Sequence, residues 1–296
     1  MPLLAQQTLS LGTGDRHVQP IELKAPRVYT DRRRIAVIAA CLWAALGLFA
    51  EGAAAQSDPP DPPAANPARP TVATPATLTP VGYLQFETGV QGAWHSPEFS
   101  SRFGLNEVIK LAVASRLQLF VIDEPWAHFR SDGRPGNGAG GLAFGAQAVV
   151  RKGEGASPTL AVSYAHSVYN GTTPDLDFGS PTNSVILLAS ADVKGFHYDA
   201  NVLFNELTEG GVSRLQFGQT LSVSHALKGP ISLTGEIWHF PQPFLRGNAV
   251  GNLWALGYTA RKNLVFDAGF NRGLTGSSTR WEVFAGFTYL LPHRLF

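Results

Sequence analysis

A set of charged and amide residues could do chemistry together in this chain: Glu87, Lys110, Arg116, Glu124, His197, Asp199, Asn201, Glu236, Asp267, Asn271, Arg280 and Glu282. Each lies in, or next to, a stretch in which polar and apolar residues alternate, and each falls on the polar side. Brought to one concave face, such groups either line a polar path for a small solute or form ion pairs that satisfy one another. Acids and bases are mixed, so no strong ion selectivity follows.

Two other chemistries were weighed from the residues. A lipid hydrolase needs a serine activated by a histidine that a third group orients. His166 and His239 lie on apolar faces near strand ends, with Ser163 and Ser167 close to His166. The period of two puts Ser163 and His166 on opposite faces, and neither GxSxG nor HExxH occurs. The chain is therefore read as non-catalytic. Asp175 and Asp177 supply two carboxylates, short of the roughly six to eight oxygens that Ca²⁺ takes. No metal or cofactor is expected. The loops 174–179 and 241–248 mix Pro, Gly and apolar residues and read as surface loops that can also fold inward.

The elements that must position these groups follow from the period. In Phe196–Asn205, Phe196, Tyr198, Ala200, Val202 and Phe204 share one face, and His197, Asp199, Asn201 and Asn205 share the other. Only a strand separates them so. The same alternation recurs from Gly82 onward. Short polar turns at 114–116, 153–157, 193–195, 227–230 and 260–262 interleave with longer segments at 95–101, 126–140, 170–183, 208–213, 241–251 and 273–278. This spacing predicts an all-β, antiparallel, up-and-down transmembrane barrel of about 12 strands over 82–296, with short turns on the periplasmic side. A soluble sandwich is the rival. Three features favour the barrel: strands of about ten residues, the aromatics Trp94, Trp126, Tyr169, Trp238, Phe240 and Trp254 read as an interfacial girdle, and the terminal Phe296.

Composition agrees. Only 15% of residues are charged and the net charge is +1, which leaves no basic surplus for nucleic acid. The single Cys41 lies in an apolar run, so the mature chain is expected to have no thiol chemistry.

The amino-terminal part reads as an address. Arg32-Arg33-Arg34, the apolar run 35–50 and Ala53-Ala54-Ala55 predict a signal peptide over 32–55, cleaved after Ala55. The run has about 16 residues against the roughly 20 of a membrane anchor. Cys41 comes too early for a lipoprotein signal. Residues 1–31 are read as a non-functional or misannotated leader, with Val28 as a candidate start. Residues 56–81 are read as a Pro-rich, disordered linker, extended and serving as a periplasmic tether. No plug-sized domain is expected.

The segments 103–121, 235–240, 258–274 and 280–291 (FGLNEVIKLAVASRLQLFV, GEIWHF, YTARKNLVFDAGFNRGL and RWEVFAGFTYLL) resemble the phenol-degradation meta-pathway family of outer-membrane barrels. The resemblance implies an outer-membrane channel or transporter associated with catabolism of aromatic compounds, and implies no catalytic residue. The expected partners are outer-membrane lipid, a small solute, and the barrel assembly machinery. The last would read the final strand ending at Phe296, where Gly286, Tyr289 and Leu291 roughly fit an assembly signal and Pro292 departs from it.

Overall fold

The computed structural model describes residues 63–296 apart from Arg246. The leader, the signal peptide with Cys41, and the first residues of the Pro-rich stretch lie outside the described residues. The strands are β1 (Leu84–Trp94), β2 (Ser101–Ala114), β3 (Leu117–Ser131), β4 (Arg134–Gly138), β5 (Leu142–Arg151), β6 (Thr159–Tyr169), β7 (Asn183–Val193), β8 (Phe196–Glu209), β9 (Val212–Lys228), β10 (Ile231–Pro241), β11 (Asn248–Arg261), β12 (Leu264–Gly273) and β13 (Trp281–Leu290). Consecutive strands pair antiparallel. β1 pairs with both β2 and β13, and β2 pairs with β3, so the sheet closes on itself. β4 pairs only with the far end of β3. Twelve strands therefore form the barrel, and β4 is an appendage.

Alternation decides which way each side chain points. Gln85, Glu87, Gln147, Asn201, Gln216, Asp267 and Thr288 are buried, whereas Val162, Leu187, Leu221, Leu256, Phe266 and Val283 are exposed on the outer face. This is the inverse of a soluble sandwich, and it suits a wall with lipid outside.

Three expectations are corrected. The segment 126–140 is not a loop: β3 runs on to Ser131, turns at Asp132-Gly133 and returns as β4. The segment 208–213 is a two-residue turn, Gly210-Gly211, on two long strands. Both turns have positive φ at their two central residues, the conformation that matches the strand twist. Lastly, Trp238 and Phe240 are not girdle residues. They are 2% and 1% exposed and point inward, as their parity with Glu236 requires. Trp94, Trp126, Tyr169 and Trp254 do stand on the outer face, although Trp254 sits midway along β11.

The outer face carries a polar row on β1–β3. Thr88, Glu107 and Asp123 pair directly across β1, β2 and β3, in parity with Phe86, Leu105 and Val121. A lipid-facing carboxylate opposes membrane stability. Replacing both Glu107 and Asp123 with Leu is expected to stabilise the barrel by about 1–3 kcal/mol, read as a shift in denaturant unfolding in lipid vesicles.

Candidate functional site

The lumen is occupied by the chain itself. Residues 63–81, part of the stretch expected to be a free tether, belong to the same compact unit as the barrel and form an extended strap inside it. The strap leaves the short-turn rim, where Ala65 N donates to Lys262 O at 2.8 Å. It rejoins the wall at Val81, which bridges Ala112.

Between these points its backbone bonds to wall side chains around the whole circumference. On β1, Asn66 N donates to Gln85 Oε1 at 2.8 Å, and Gln85 Nε2 returns a bond to Asn66 O at 2.7 Å. Ala68 N and Arg69 N donate to the Glu87 carboxylate at 3.1 and 3.2 Å. On β10, Glu236 accepts from Val72 N at 2.8 Å and Ala73 N at 2.7 Å. On β8, Asn201 accepts from Thr74 N at 2.6 Å and donates to Thr74 O at 2.9 Å. On β7, Ser190 Oγ accepts from Ala76 N at 2.7 Å and itself donates to Asp199. Gln147 Nε2 on β5 donates to Pro75 O at 3.0 Å, and Gln118 Oε1 on β3 accepts from Thr79 N at 2.8 Å.

The strap's sequence explains this mode. It has no partner strand, so each buried N–H needs an acceptor elsewhere. Pro63, Pro67, Pro70, Pro75 and Pro80 remove five donors, and wall side chains accept from Asn66, Ala68, Arg69, Val72, Ala73, Thr74, Ala76 and Thr79.

One strap side chain reaches the wall as a fork. Arg69 Nε and Nη2 donate to the two Asp267 oxygens at 3.1 and 3.0 Å. A Cβ on Gly89 or Gly286 would strike the Arg69 guanidinium, so two bare backbone positions make its berth. Beside it, Lys110 pairs with Glu87 at 2.5 Å.

The structure thus brings Glu87, Lys110, Asp199, Asn201, Glu236 and Asp267 together around the strap. Asn271 and Glu282 sit in a second layer nearer the long loops. There Asn271 accepts from Trp238 Nε1 at 2.8 Å and donates to Glu282 at 3.1 Å, and Glu282 accepts from Gln91. Glu124 faces inward too, paired with Arg102. His197 lies half-buried near the short-turn end, 2.8 Å from Asp192 and 3.2 Å from Asp199. Arg116 and Arg280 do not join the set. Both are exposed, Arg116 in the β2–β3 turn and Arg280 just before β13; a turn residue escapes the alternation that placed the others. Ser163 is buried inside whereas His166 is exposed and bonded to Asn183 at 2.9 Å.

The lumen also has an apolar side. Leu203, Trp238, Phe240 and Ala249 form one buried cluster against Val72 and Ile186, and Leu253, Ala255 and Phe284 form another. The sequence carried the signal for Leu203, Trp238, Phe240 and Phe284, which share parity with Asn201, Glu236 and Glu282 on their own strands.

The loop after β6 spans the long-loop mouth. Asp177 accepts from Thr279 N and Thr279 Oγ1 at 2.8 and 2.9 Å, and Gln242 Nε2 donates to Asp177 O at 2.6 Å. Asp175 N donates to Glu98 at 3.2 Å, and Asp175 accepts from Ser180 Oγ at 2.5 Å. The two aspartates are thus engaged with different partners and do not converge. Burial pushes Glu98, Asp175 and Asp177 up from the ordinary carboxylate range. The neighbouring Asp175 charge adds to the rise at Glu98. Bonds from Ser180 and Thr279 offset part of the rise at Asp175 and Asp177.

No protein-family model matches the chain, and no curated protein matches it by sequence. Solved structures do match. An outer-membrane channel from Pseudomonas putida F1 superposes with a TM-score of 0.54 at 12% identity, over 73% of this chain and 98% of that one. The NanC porin gives a TM-score of 0.48 at 9% identity, over 70% of this chain and 100% of that one. At such identities the likeness to the first is one of fold: an outer-membrane-type β-barrel.

Two outcomes follow. Glu236→Leu leaves two strap N–H groups without an acceptor, at about 1–3 kcal/mol each. A Cys41→Ser chain carrying Ala73→Cys should therefore react with a water-soluble maleimide faster when Glu236 is Leu. The mouth loop should respond to acid. Its carboxylates have higher pKa values closed than open, so closure gains stability as pH falls through the raised values and loses it as pH rises through them. Proteolytic cutting within 170–182 should slow as the pH is lowered toward the carboxylate range.

Proposed function

We propose that this protein is an outer-membrane channel for small solutes, those with aromatic or apolar bodies in particular, and that its own strap controls the lumen. The observation that carries the reading is the strap's mode of attachment. It is held by side-chain bonds to individual wall residues and not by a strand ladder, so the sheet stays closed when the strap moves. The apolar side of the upper lumen, with Trp238 and Phe240 at its centre, supports an apolar or aromatic solute. The resemblance to the phenol-degradation family points the same way. Sidedness follows the barrel plan, with short turns in the periplasm. On this reading the barrel assembly machinery receives the final strand. Phe296 itself lies beyond β13, on a tail whose Leu295 N donates to Gly82 O at 2.7 Å.

A second reading is a structural barrel that stays shut, and the many strap–wall hydrogen bonds favour it. Single-channel recording in planar bilayers separates the two. The chain lacking residues 63–80 should conduct more than the intact chain, and small aromatic solutes should block that current. If the shortened chain folds, as its heat-modifiable gel mobility would report, and does not conduct, the channel reading fails and the structural one stands.

A further inference from the structure

Inside the barrel the described cations have carboxylate partners: Arg69 with Asp267, Arg102 with Glu124, Lys110 with Glu87. At the long-loop rim, the two guanidinium groups next to Trp281, those of Arg272 and Arg280, have none. Arg272, on β12, pairs across the sheet with Trp281, and its guanidinium carbon lies 4.3 Å from the centre of the Trp281 ring. One of its N–H groups, on Nη1, donates to Arg280 O at 2.9 Å. The Arg280 side chain is exposed, without an ion pair or a bond of its own. Arg280 lines an open cleft of about 480 Å³ with His95, Thr275, Gly276, Ser278 and Trp281. None of these residues is acidic. Two cations beside one indole, with no acid in the cleft lining, favour an anion.

The surroundings say which anion. Trp94 and Trp281 are direct cross-strand partners, and both are exposed on the outer face. Paired indoles in that position mark the membrane–water interface. The exposed Phe270 and Val283 continue the apolar surface toward the barrel's middle. An occupant must therefore be anionic where Arg272 and Arg280 are and apolar below the tryptophans. Guanidinium groups hold phosphate through paired N–H bonds.

We propose that this rim binds the phosphorylated headgroup of an outer-leaflet lipid, with Arg272 and Arg280 on the phosphate and the acyl chains along β12 and β13. The proposal rests on the reading that places the long loops outside.

The test is native mass spectrometry of the detergent-purified protein with bis-phosphorylated lipid A, with the same lipid stripped of phosphate, and with inorganic phosphate as competitor. The phosphorylated lipid should bind at least about tenfold more tightly than the stripped one. Arg272→Ala with Arg280→Ala should lose about that factor, whereas Arg116→Ala with Arg151→Ala, at the short turns, should not. Millimolar phosphate should not displace the lipid. Equal binding of the stripped lipid, equal loss in the short-turn variant, or full displacement by phosphate would overturn the proposal. If the double variant does not fold, Arg280→Ala alone carries the test, since that side chain has no partner in the protein. The readout does not depend on conductance, so its failure is distinct from failure of the channel reading.

Discussion

The structure depends on the need of every backbone N–H and C=O away from water for a partner. A sheet with lipid on one side has nowhere to leave an unpaired edge, and the seam between β1 and β13 removes the last one. Closure then creates a second problem, an enclosed space. In a barrel of twelve strands that space is too wide for ordinary wall side chains to fill unaided and narrow enough for one extended chain to block. The strap answers with the same currency of hydrogen bonds, using side-chain acceptors because the wall's backbone is already committed. The acids and amides of the wall are therefore placed where a peptide N–H arrives.

This arrangement explains how much of the fold could be read in advance. Alternation is local, so the sets around Phe196–Asn205 and Trp281–Tyr289 gave the facing of each side chain, and the short turns gave the strand order. The parity of Glu236 also fixes Trp238 and Phe240 as inward, and it outweighs the general preference of tryptophan for the interface. Arg116 and Arg280 were drawn in as charged neighbours of strands although neither is under a strand's alternation. The strap was beyond local reasoning. Its prolines reveal which backbone bonds it does not make, and its acceptors lie as far away as Asp267 lies from Arg69. Nothing near Arg69 in the chain signals that partner.

Charge is handled differently on the two sides of the wall. Within, Arg69, Arg102 and Lys110 each have a carboxylate within a few ångströms, and Glu236 and Glu282 rest on neutral N–H donors; the low local dielectric makes each match strong and each mismatch costly. Outside, two sets of charges bear on the membrane: two carboxylates on β2 and β3, and two guanidinium groups beside Trp281. The first opposes the membrane's preference. The second is consistent with the chemistry of a headgroup layer.

The path of the strap also bears on the order of events in biogenesis. Arg69 stands ahead of β1, yet its carboxylate belongs to β12, the penultimate strand to be synthesised. That ion pair has no second half until nearly the whole wall exists, and the seam that encloses it is then one strand from completion. Arg69 takes its berth only as the cylinder shuts, whereas the strap's bonds to Gln85 and Glu87 on β1 have both partners from the start. The strap's lack of helix- or sheet-forming character is then an asset in transit, since a segment with no structure of its own offers nothing for the incoming strands to pair with wrongly.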